Sequence, residues 1–117
     1  LQQSSRRAME RESESMLAAA RSRKEATANQ VLSGLAENLS GIEAARRTEQ
    51  LATTSLLPQA ELTFNSALAA YENGKVDFAT LLEAQQQIRK ARLSKIKAQA
   101  EAQIRLAEIE KLLGEDL

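Results

Sequence analysis

Few side chains in this chain have the type and spacing that chemistry requires, and most of those fail on inspection. Glu10 and Glu14 fall one helical turn apart, as a pair of working carboxylates would, but Arg6, Arg7 and Arg11 surround them. That pattern reads as i,i+4 ion pairing along a helix. Glu108 and Glu110 face different sides of a helix, while Glu12 with Glu14 and Glu115 with Asp116 read as solvated charges. The sequence has no His and no Cys, so the commonest general base, metal ligand and thiol nucleophile are missing. Its Ser and Thr residues have no base to activate them. Its four glycines are isolated from one another and cradle no phosphate. The sequence therefore predicts no enzyme, no metal site and no cofactor.

Sixteen basic and sixteen acidic residues cancel, which removes the electrostatic footprint of a nucleic-acid binder. The basic cluster Arg89, Lys90, Arg92, Lys95 and Lys97 is interrupted by Ala91, Leu93 and Ile96 at helical spacing. It reads as the solvated face of an amphipathic helix. No apolar run approaches the ~20 residues of a spanning helix. Leu1 follows no initiator Met and no signal pattern, so the chain reads as a piece of something longer.

What positions the remaining candidates is a turn between two long helical stretches. Abundant Ala, Leu, Glu, Gln, Lys and Arg with a single Pro is the composition of packed helices, and the fold class expected is all-α. Asn73-Gly74 ends one helix, because Gly takes the left-handed conformation without a Cβ penalty. Asp77 starts the next by accepting N–H groups of its first turn, and Val76 with Leu81 has the spacing of a hydrophobic staple. The prediction is a long antiparallel, coiled-coil-like hairpin. Its first arm covers about 4–73, its tip 73–77 and its second arm about 78–113. Apolar rows at Leu32, Leu35, Leu39, Ile42 and Ala45, then Leu57, Ala60, Phe64, Ala67, Leu68 and Tyr71, mark the inner face of the first arm. Leu81, Leu82, Ile88, Leu93, Ile96, Ala100, Ile104, Ala107 and Leu112 mark that of the second.

Folding about the tip puts Leu113 opposite position 34–36. Residues before about 31 then either overhang by about 45 Å or fold back as a third helix. Leu32-Ser33-Gly34-Leu35 and Leu39-Ser40-Gly41-Ile42 form a seven-residue repeat with both glycines on one face. Either a neighbour approaches closely there or the helix breaks. Pro58 predicts a kink near Thr54, with the apolar pattern resuming in phase beyond it. Tyr71 reads either as an aromatic closing the core or as an exposed tip residue.

The runs Leu56-Leu57-Pro58-Gln59-Ala60-Glu61, Ala67-Leu68-Ala69-Ala70-Tyr71-Glu72-Asn73-Gly74-Lys75-Val76-Asp77-Phe78 and Leu81-Leu82-Glu83-Ala84-Gln85-Gln86 resemble the outer-membrane efflux proteins. These are the TolC-like outer-membrane factors, and the flavour is that of the heavy-metal efflux (CusC/CzcC-like) subgroup. Specific likeness covers residues 56–114; over residues 1–55 the likeness is one of helical character and length. The resemblance implies the second periplasmic helical hairpin of a homotrimeric channel in a Gram-negative outer membrane, a tunnel-wall segment that does not itself span the membrane. It implies that the tip docks the membrane-fusion (periplasmic adaptor) protein, and through it the inner-membrane pump, by way of Tyr71, Asn73, Gly74, Lys75 and Val76. Some relatives carry Arg where this chain has Val76, so an ion-pair latch from that position is not available. Acidic rings constrict the entrance of relatives. Glu83 matches one such position and Thr80 stands at the other, which implies a single carboxylate ring that favours cations. The alternative, from a different class, is a stand-alone soluble coiled-coil or three-helix interaction module.

Overall fold

Alanine rather than bulk sets the architecture. The computed structural model describes residues 1–115, which form a rod 104 Å long and 21 by 16 Å across. Helix α1 spans Gln2–Leu51, one π-helical turn covers Ala52–Leu56, and α2 continues as Leu57–Glu72. Helix α3, Phe78–Glu115, returns along the other two. No strand occurs among the described residues, and the all-α hairpin expected from composition and the Asn73-Gly74 turn is what forms. Among the same residues no helix is long and apolar enough to cross a membrane.

The seam is a heptad row. Ala84, Ala91 and Ala98 of α3 are each about one-twentieth exposed, and Ile42, Ala45, Ala52 and Ala60 are the buried apolar residues on the long arm. Small side chains at these positions let the helix axes approach closely. Half-buried Leu81, Ile88, Lys95, Ala102 and Ile109 complete the row on α3. This corrects the sequence-based inner face. Leu81, Ile88 and Leu112 do turn inward, but Leu82, Leu93, Ile96, Ala100, Ile104 and Ala107 are exposed. Leu32 and Leu39 are likewise exposed, while Leu35, Ile42 and Ala45 face α3. The bulky stripe of the sequence is not the core; the core is the row of small residues where the helices meet.

Gly34 and Gly41 lie inside an unbroken α1. A Cβ on Gly34 would stand 2.9 Å from Leu112 Cδ1, and one on Gly41 would stand 2.7 Å from Arg105 Nε. The glycines are thus slots for long side chains from α3, which offsets their poor helix propensity. Leu112 of α3 thus lies opposite Gly34 of α1. Residues 1–30 are exposed along their whole length, so they overhang and do not fold back as a third helix. Beside the glycines, Asn38 is the buried polar residue. Its Nδ2 donates to the Gly34 carbonyl at 2.9 Å, and its Oδ1 accepts from Arg105 Nη1 at 3.4 Å. Arg105 Nε pairs with Glu101 at 2.9 Å, the one ion pair among the described residues. The pairs expected of Glu10 and Glu14 with neighbouring arginines do not close.

At the kink expected near Thr54 the helix continues through a widened turn. The Leu57 N–H donates to the Ala52 carbonyl five residues back, and Thr54 Oγ1 donates to the Gln50 carbonyl at 2.7 Å. Pro58 follows immediately, inside the continuous helical path, where the widened turn before it leaves room for its ring. The apolar row resumes beyond it, but one residue late rather than in phase.

Candidate functional site at the hairpin tip

Local chemistry closes the end of α2 without help from any other element. Gly74 has φ +70°, and Asn73 before it has φ −91° and ψ 4°. The Gly74 N–H donates to the Tyr71 carbonyl at 3.0 Å, and the Lys75 N–H donates to the Ala70 carbonyl at 2.8 Å. This pair of bonds is a Schellman motif, which satisfies carbonyls that a helix end otherwise leaves free. The Asn73 N–H and its side-chain Nδ2 both donate to the Ala69 carbonyl, at 3.2 and 2.9 Å. A Cβ built on Gly74 would meet nothing within 4 Å. Glycine is needed there for its backbone angle, and the space around it is open.

Asp77 opens α3 from the other side of the turn. Its Oδ1 accepts the Thr80 N–H at 2.9 Å and the Thr80 hydroxyl at 2.8 Å. The Thr80 hydroxyl, then the Thr80 N–H, hold the Asp77 carboxyl below the usual carboxylate range. Val76 and Leu81 flank this cap and are both half-buried. The Thr80 side chain is therefore engaged by the cap, while Glu83, one turn further along α3, is exposed and joins no ion pair among the described residues.

An aromatic pair spans the turn. The Tyr71 and Phe78 rings meet edge to face, with centroids 6.1 Å apart and planes at 63°, a favoured geometry for aromatic neighbours. Both remain open to solvent, Tyr71 at 41% and Phe78 at 60%. Tyr71 is therefore a tip residue and not a core closure. Asn73, Gly74 and Lys75 are exposed with it, and only Val76 turns partly inward. Phe78 belongs to this cluster and was not among the residues singled out from sequence. Its signal was available: an aromatic directly after the Asp cap, on the far side of a turn that begins with Tyr71.

Neither a curated protein nor a solved structure matches the chain. The family model described as outer membrane efflux protein matches residues 1–115. That span takes in the first 55 residues, where the sequence had offered only helical character, as well as the tip with its Tyr71 and Gly74. The chain belongs to the outer membrane efflux protein family.

Proposed function

We propose that this hairpin is a wall segment of the periplasmic tunnel of a trimeric outer-membrane efflux channel in a Gram-negative cell. Its tip docks the membrane-fusion adaptor, and through it the inner-membrane pump that supplies the energy. The observation that carries this reading is the tip itself: Tyr71 and Phe78 stand exposed at the end of a 104 Å rod. The caps around them hold the turn without a partner. Exposed aromatics on a preorganised turn are what a protein partner uses as anchors. Asn73, Gly74, Lys75 and Val76 supply the surrounding contact, with open space at Gly74 for a partner backbone. Glu83 lines the entrance in three copies and favours cations electrostatically. The likeness carried jointly by the runs 56–61, 67–78 and 81–86 is what supports the heavy-metal efflux subgroup.

A photoreactive amino acid in place of Lys75, in the full-length protein in cells, tests the docking. The expected result is an adduct with the adaptor that is lost on Gly74→Leu together with efflux. An unchanged adduct and unchanged efflux in Gly74→Leu remove the tip assignment. Glu83→Gln tests the ring, and unchanged conductance and cation preference remove it. An antibody to this chain is expected to mark an outer-membrane band several times 12.8 kDa; a soluble band near that mass returns the chain to a stand-alone helical module.

A further inference from the structure

The long arm carries two apolar rows that differ in phase by one residue. Along α1 one row turned to α3 is Val31, Leu35, Asn38, Ile42, Ala45, Glu49 and Ala52, stepping by four and three in turn, with Gly34 and Gly41 beside it. Continued without interruption, that rhythm reaches Leu56, Gln59, Thr63 and Ser66. These four are exposed. The row that turns inward instead is Leu57, Ala60, Phe64 and Ala67, each one position later, with Leu68 and Ala70 half-buried beside it. The change takes place inside Ala52–Leu56, where the helix is wound as a π turn and the Leu57 N–H reaches back five residues. A π turn holds one residue more than the α turn it replaces. The count closes: one residue of phase difference, one residue taken up.

We propose that the π turn is the register joint of the hairpin, a single inserted residue that lets both halves of the long arm keep an apolar row on the continuous alanine row of α3. Without it, Gln59, Thr63 and Ser66 would press on Ala84 and Ala91 while Ala60 and Phe64 turned to solvent, because a helical row out by one residue is rotated by ~100°. Pro58 offers a rival cause, since its ring would crowd the Thr54 carbonyl in a regular α-helix. Pro58 follows directly on the widened turn within a continuous helical path, so the wider turn also gives its ring room. The phase difference demands the extra residue whether or not the proline is there.

Two variants separate these causes. Deleting Thr53, an exposed residue of the turn, leaves an α-helix with both rows already in phase. Its thermal midpoint is expected within about 2 °C of the parent or above it, whereas deleting exposed Glu43 from α1, which forces one row off α3, lowers the midpoint by at least about 5 °C. A Thr53 deletion that melts as low as the Glu43 deletion overturns the proposal. The second variant is Pro58→Ala, read by thiol labelling, which is clean because the chain has no cysteine of its own. With the register joint intact, Ala60→Cys is expected to label at least about tenfold more slowly than Thr63→Cys, in Pro58→Ala as in the parent. Reversal of that order in Pro58→Ala shows that the proline makes the turn, and overturns the proposal.

Discussion

Arg105 lies across Gly41 so closely that its Nε stands 2.7 Å from where a Cβ would be, and the same Nε holds Glu101 at 2.9 Å. Glycine at 41 is thus matched to arginine at 105. Replacing a mid-helix Gly by Ala ordinarily stabilises by ~1 kcal/mol. Here the added methyl displaces a guanidinium that also bonds Asn38. Gly41→Ala is therefore expected to be near neutral in the parent, and to recover its full gain of ~1 kcal/mol in an Arg105→Ala background. Urea unfolding of the four proteins of the cycle measures the coupling. Equal effects in both backgrounds refute the match.

The alanine row makes the opposite demand. Ala98 is 6% exposed and faces the long arm, while Ile96, two residues earlier, is 60% exposed. Ala98→Leu should cost ~1–3 kcal/mol by overpacking a close helix contact. Ile96→Ser should stay within ~0.5 kcal/mol. Urea unfolding of both variants decides which stripe of α3 is the seam, and the reverse order of effects restores the one read from bulk.

Why the tip was legible and the seam was not follows from the residues involved. Asn73, Gly74 and Asp77 act through bonds to their own neighbours, so their types alone announce a C-terminal stop and an N-terminal cap. The seam is decided between helices. Leu93, Ile96 and Ile104 line up at helical spacing as well as the true row does, and by size they outrank Ala84, Ala91 and Ala98. Sequence periodicity locates stripes, but not which stripe meets the partner. The widened turn is hidden for a related reason: Pro58 signals a disturbance near Thr54, whereas the phase of the apolar row turns on the extra residue between Ala52 and Leu57. Gly34 and Gly41 pointed correctly to close packing, though what approaches is a side chain from α3.

Gly74 isolates a purely conformational cost. Its φ is +70°, and a methyl there would touch nothing within 4 Å. Gly74→Ala is expected to lose ~1–2 kcal/mol from left-handed strain alone. Gly74→Asn should lose less, since Asn tolerates that region better. Thermal unfolding with circular dichroism ranks the three proteins, and an alanine variant as stable as the parent would mean the turn rearranges freely.

Asp77 gives the tip a pH dependence of known sign. Its carboxylate accepts two hydrogen bonds from Thr80, which hold its folded pKa below the ordinary value. The unfolded chain therefore takes up a proton first as pH falls. The cap's contribution is fully present above the ordinary carboxylate pKa and is lost as pH falls through the lowered folded value. Asp77→Asn keeps an acceptor for the Thr80 N–H but does not titrate. The stability difference between parent and Asp77→Asn should accordingly be largest near neutral pH and shrink on acidification below about pH 4. Parallel thermal midpoints of the two proteins over that range measure it. A gap that stays constant, or widens in acid, means the charge of Asp77 contributes nothing to the start of α3.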